Sequence, residues 1–176
     1  EKKINSVSLE ALQGAQEIAE KSSGTVSAVT FSSSIGDQLT GYELNEILVI
    51  ENPKLQKYDP LYYVKAVVNV AIAESPNILV FGHSYEARDW VPRLSARLDI
   101  PFISDCIGFK NDGEFTLVRS VYQGKFNSDI CINSDKFILE INLSTLCYIG
   151  KFLFFCGLQR LIKIPALLFF EPEHGG

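Results

Sequence analysis

The chain is poor in the residues from which most catalytic and metal centres are built. Its 176 residues include two histidines, four cysteines, one tryptophan and no methionine. Cys106, Cys131, Cys147 and Cys156 are spread out, with no C-x-x-C and no histidine at ligand spacing. That pattern argues against zinc and against thioredoxin-type redox chemistry. Scattered thiols with no leader-like segment point instead to a reducing compartment. Lysine and arginine do not cluster, and the net charge is −5, so nucleic acid is not an expected partner. A G-x-G-x-x-G run, which would cradle a pyrophosphate, is also missing.

What remains is a globular composition, 47% apolar and 21% charged, on a chain long enough for one real core. The most informative stretch runs from Asn77 to Cys106. Ile78-Leu79-Val80-Phe81 is an unbroken apolar run, suited to a strand buried on both faces of a parallel sheet. Gly82-His83-Ser84 turns the chain. From Glu86 onward Val91, Leu94 and Leu98 recur at helical spacing, with Arg88, Arg93 and Arg97 on the wet side. Pro101 stops that helix before Phe102-Ile103, completing a strand-helix-strand unit.

The flanking segments extend the alternation. A helix is expected to start at Ser6 or Ser8, with Leu9, Leu12, Ala15 (or Gln16) and Ala19 facing inward and Gly24 ending it. Since the chain opens in a polar turn directly before this helix, a first strand is expected to be missing, leaving an exposed edge or a half-empty core. Thr25 to Phe31 reads as a strand, Ile35 to Leu39 as at most a short helix, and Glu46 to Ile50 as a strand. Asp59 caps a helix with Pro60 at its first position, running to about Glu74, its core face Tyr63, Val67, Val70 and Ala71. Asn111-Asp112-Gly113 is a hairpin signal joining Ile107–Phe109 to Phe115–Val121. Phe126 to Ile132 and Phe137 to Asn142 read as further strands. The fold class is therefore α/β, with a mainly parallel sheet and an antiparallel extension.

Four features in this order resemble the N-terminal domain of the electron transfer flavoprotein alpha subunit. They are the opening helix Ser8-Leu9-Glu10-Ala11-Leu12 with Ala15 and Ala19; the passage Phe81-Gly82 through Arg88-Asp89, Pro92-Arg93 and Ala96-Arg97-Leu98; Ser104-Asp105 with Cys106; and Val118-Arg119-Ser120-Val121-Tyr122-Gln123-Gly124-Lys125. The last is similar to the family's Arg-x-x-Tyr-x-Gly-Asn, with Lys125 in place of Asn. The resemblance covers Ser6 to Ile132 and implies a Rossmann-like three-layer fold over residues 1–143. It implies a beta subunit as heterodimer partner, acyl-CoA or similar dehydrogenases as partners of the complete protein, and FAD held in a separate C-terminal domain. It implies no enzyme activity of this chain's own and no catalytic, cofactor-binding or metal residues in it. Arg88, Arg93, Arg119 and Tyr122 are the partner-binding candidates. The implied compartment is the cytoplasm in a bacterium or the mitochondrial matrix in a eukaryote. A second functional reading is a small module binding an adenine nucleotide at the strand ends near Phe31–Ser34 and Phe81–Ser84.

Residues 144–176 differ in style. Leu146 to Phe170 is far more apolar than what precedes it. Three readings compete for this tail. Lys151, Arg160, Lys163 and Pro165 interrupt a membrane span, since charge at mid-bilayer is costly. The segment could pack on its own domain or a partner. The reading preferred from composition is an aberrant or truncated reading frame.

Individual residues mostly have plain explanations. Gly82-His83-Ser84-Tyr85-Glu86 sits where a hydrolase's G-x-S-x-G elbow would, but Glu86 replaces the second glycine, so Ser84 is better read as a turn or cap residue. His83 reads as a turn residue at the carboxyl end of a strand, where such sheets bind ligands. Asp89 and Arg93 form a local helical pair. Asp112 belongs to the hairpin and Cys106 to the core.

Overall fold

Two clusters of apolar side chains, one on each face of a single sheet, organise the molecule. The computed structural model describes residues 3–111, 115–142 and 165–170. In chain order the elements are α1 (Ser6–Ser22), β1 (Thr25–Thr30), α2 (Ser33–Leu39), β2 (Ile47–Val49), a 3-10 turn (Pro53–Leu55), α3 (Pro60–Glu74), β3 (Ile78–Gly82), α4 (Tyr85–Leu98), β4 (Phe102–Asn111), β5 (Phe115–Val121), β6 (Phe126–Cys131), β7 (Phe137–Ile141) and β8 (Pro165–Phe170). The strands form one sheet in the order β2-β1-β8-β3-β7-β4-β5-β6. From β2 to β4 the pairs are parallel, while β4-β5 and β5-β6 are antiparallel. Helices α1 and α2 pack on one face, α3 and α4 on the other. The α/β, three-layer expectation with an antiparallel extension is what the structure shows.

Local chemistry explains the helix limits. Asp59 Oδ1 accepts from Leu61 N at 2.9 Å and Tyr62 N at 3.2 Å, and Pro60 occupies the first turn, where its missing N–H costs nothing. At α1 the cap is Asn5, not Ser6 or Ser8. Its side-chain oxygen accepts from Val7 N at 3.1 Å, which lets the helix begin earlier than a Ser6 or Ser8 cap would. The buried stripe of α1 is Ala11, Leu12, Ala15, Ile18 and Ala19, with Leu9 only partly covered. Strand β4 is longer than expected, because Phe102-Ile103 and Ile107–Phe109 are one strand with an irregularity near Cys106. Asn111 pairs with Phe115, as the hairpin signal implies, although Asp112 and Gly113 lie outside the described residues.

The tail holds the largest difference from the expectation. Its residues 165–170 form β8, hydrogen-bonded in parallel between β1 and β3 near the middle of the sheet. Ala166, Leu168 and Phe170 enter the cluster under α1, while Leu167 and Phe169 enter the cluster under α3 and α4. The sheet thus draws a strand from beyond the boundary expected at residue 143, and that strand fills the position between β1 and β3. Alternating placement on two apolar layers is why so uninterrupted an apolar run is tolerated here. Residues 143–164 and 171–176, with Cys147, Cys156 and His174, lie outside the described residues. Among the described residues no helix is long and apolar enough to cross a membrane.

Candidate functional site

The carboxyl end of β3 is the most polar point of the sheet's interior. Gly82 is required there: a Cβ would stand 2.7 Å from the Val7 carbonyl oxygen, so only glycine admits the start of α1. His83 N donates to Ile141 O at 3.0 Å, and its Nδ1 lies 2.8 Å from Glu140 Oε2. Ser84 Oγ accepts from Ala87 N at 2.9 Å, so this hydroxyl caps α4. The hydrolase reading of the turn has no geometric support, because the serine is a cap and the imidazole faces a carboxylate.

Glu140 is fully buried, and its Oε1 has no hydrogen-bond partner among the described residues. Burial pushes its carboxyl upward, the hydrogen bond and charge of His83 pull it back, and Asp105 acts in both directions; the net shift is up. Asp105 holds a left-handed backbone at φ 57° and accepts from Asn142 Nδ2 at 2.7 Å. Next to it the Cys106 thiol is pushed up to about 12, chiefly by burial, which leaves it a small apolar residue and a poor nucleophile. No group of three or more His, Cys, Asp or Glu able to hold a metal occurs among the described residues.

This edge does not suit the pyrophosphate of a flavin dinucleotide. The glycine of the β3–α4 turn is already covered by Val7, so its backbone cannot also approach a phosphate. The neighbouring His83 has its Nδ1 engaged by the buried Glu140 carboxyl. At the β1–α2 turn Phe31-Ser32-Ser33 contains no glycine, and the Ser32 and Ser34 hydroxyls lie 3.0 Å apart, bonded to each other. Two glycine-free or glycine-filled turns cannot cradle a dinucleotide.

The four partner-binding candidates fall on two surfaces. Arg88 and Arg93 lie on the exposed side of α4. Arg93 is engaged by Asp89 through Nη2 at 3.0 Å, and the Tyr58 hydroxyl and Arg93 together hold the Asp89 carboxyl below its ordinary value. Arg88 stacks over the Tyr85 ring, which is 90% exposed. Arg119 and Tyr122 lie at the far edge instead. Arg119 stands opposite Cys106 on β4 and Ser128 on β6, and its Nε is buried with no partner among the described residues. Tyr122 opens the β5–β6 turn, where Tyr122, Gln123 and Gly124 all take positive φ. The turn projects its aromatic ring outward, T-shaped on Phe126 with centroids 6.0 Å apart.

Two residues of consequence were not foreseen. Phe126 reads simply as a strand start, although an aromatic directly after a glycine-containing turn on an edge strand is a usable signal. Glu140 reads as part of an apolar strand, Phe137 to Asn142. A single carboxylate inside such a run was the clue.

A profile of the electron transfer flavoprotein domain matches residues 1–142. The chain is similar to electron transfer flavoprotein subunit alpha of Bacillus subtilis (strain 168), at 34% identity over 93 residues, covering 52% of this chain and 29% of that protein. It is similar to electron transfer flavoprotein subunit alpha of Thermoanaerobacterium thermosaccharolyticum at 27% over 121 residues, 67% of this chain and 37% of the relative. Protein FixB of Clostridium saccharobutylicum is 28% identical over 135 residues, 74% and 40% of the two chains. In these three comparisons the match spans between 29% and 40% of the relative's length. With its opening helix, strand-helix-strand unit and Arg119–Gly124 passage all in one α/β body, the chain belongs to the electron transfer flavoprotein family, as an alpha-subunit N-terminal domain.

Proposed function

We propose that this domain is an assembly platform: it docks the beta subunit of an electron transfer flavoprotein and supports a separate FAD-holding domain. In the complete protein that flavin would carry electrons from acyl-CoA or similar dehydrogenases toward the respiratory chain. Flavins do the electron chemistry, and the polypeptide supplies binding, orientation and electrostatics. This chain's own contribution is therefore geometric.

The observation that carries the reading is the rigid aromatic pair on the β5–β6 turn. Tyr122 is 77% and Phe126 65% exposed. A solvent-facing aromatic pair on the same hairpin as Arg119, whose Nε has no partner among the described residues, has the composition of an interface anchor. Strand β6 is the last strand of the sheet among the described residues, with exposure alternating from Asn127 to Cys131. Arg88 with Tyr85 is the second contact of this platform; Arg93 is committed to Asp89.

The test is co-expression with a beta subunit from a relative, followed by purification and a visible absorption spectrum. A one-to-one complex from this chain, with no flavin absorbance travelling with the chain alone, is the expected result. Stoichiometric flavin on the isolated chain, or heat on titration with AMP or ATP but no beta-subunit complex, would replace this reading with a ligand-binding one.

A further inference from the structure

The place of β8 in the sheet disagrees with its place in the sequence. Parallel neighbours are joined by a crossover helix, and such units are right-handed with adjacent strands. Helix α1 leads into β1, yet no strand precedes it among the described residues. It lies against β8, β3 and β1, and the strand beside β1 on that side is β8.

Register shows how closely β8 and α1 meet. Val7, in the first turn of α1, touches Gly82 at the carboxyl end of β3. The β3–β8 pairing of Val80 with Leu168, carried two residues further, brings Phe170 beside Gly82. So β8 ends where α1 begins, one strand apart. At the other end of the unit α1 returns to Thr25, which pairs with Pro165 at the start of β8. The burial also fits a middle strand: Phe169 stacks on Phe81 with centroids 4.8 Å apart, and residues 166–170 are all buried.

We propose that residues 165–170 occupy the place of a strand leading into α1, so that β8, α1 and β1 form one right-handed crossover unit in space although β8 lies far from both in sequence. The centre of the sheet then closes only when this late segment inserts between β1 and β3. Closure across so many residues is a non-local step, which slows folding.

The first test is hydrogen exchange on the unaltered chain. Amides of Leu167–Phe169 should exchange as slowly as those of Leu79–Phe81, within about tenfold, as members of one cooperative unit. Exchange at the rate of an unstructured peptide would overturn the proposal. The second test reorders the same residues, opening the chain before Leu161, joining Gly176 to Glu1 and ending at Arg160. Native near-UV circular dichroism, a urea midpoint no lower than the parent's and faster refolding are expected. A permutant without native near-UV signal would equally overturn it, since every strand and helix is retained. Faster refolding is the sharpest support, because the reordering brings β8 closer in sequence to α1 and β1 while leaving its separation from β3 as it was.

Discussion

The parallel part of the sheet and its antiparallel extension solve opposite problems. Across β1, β8, β3 and β7 the strands are covered on both faces by helices, and most of their side chains enter two apolar layers. Beyond β4, strands β5 and β6 are only partly covered, and Phe126 and Tyr122 stand in solvent. Residues of one chemical class therefore do different work. Phe81 and Phe169 stack on each other inside, whereas the Tyr122–Phe126 pair faces outward in a turn held by three consecutive positive φ angles. A left-handed tyrosine carries backbone strain, so that turn is costly to keep unless its shape is used. The first region makes the fold, and the second carries the proposed docking surface.

Substitutions can break this contrast. Leu168→Ala removes a fully buried side chain from the middle strand and should cost about 2–5 kcal/mol in urea unfolding. Phe126→Ala should stay within about 0.5 kcal/mol in the same assay. Equal losses at both positions would erase the distinction between the regions. Next in size is Gly82→Ala, which forces the α1 start away from β3 because the new methyl meets backbone, for a loss of about 1–3 kcal/mol.

The buried carboxylate sharpens the contrast through pH. Burial raises the Glu140 carboxyl above its ordinary 4.5, so the folded state holds that proton more tightly than the unfolded chain does. The associated stability is complete below 4.5 and declines as pH rises through the elevated value. Glu140→Gln keeps a side chain able to donate to or accept from the His83 Nδ1 and removes the charge. Urea midpoints between about pH 4 and pH 8 should then fall less with rising pH than in the parent. An unchanged slope would mean that Glu140 is not the group responsible. The smallest effect belongs to Arg93→Ala on the exposed side of α4, with no measurable change in midpoint.

Much of this architecture can be read in the residues themselves. Asp59-Pro60 through Glu74 is a helix at those same limits, because a side-chain cap and a proline state the start without help from tertiary contacts. The Ile78–Phe81 strand and the helix carrying Val91 and Leu94 are equally plain, since periodicity and burial coincide. The exception is β8. Pro165–Phe170 has the apolar character of a central strand, but its partners β1 and β3 are distant in sequence, and parallel pairing leaves no local turn to announce it. Composition alone makes it look like foreign material. The candidate surface was legible in halves: Arg119 and Tyr122 through a motif, while Phe126 and the Glu140–His83 pair depend on which side chains the sheet turns outward or brings within 2.8 Å.

The central claim is that the hairpin edge is the docking surface, and a calorimetric titration of purified beta subunit into this chain addresses it most directly. Replacing Tyr122 and Phe126 together by alanine should weaken association by about 2 kcal/mol, roughly 30-fold, with the near-UV spectrum and urea midpoint unchanged. Undiminished affinity in that double variant, with the complex still forming one to one, would contradict it.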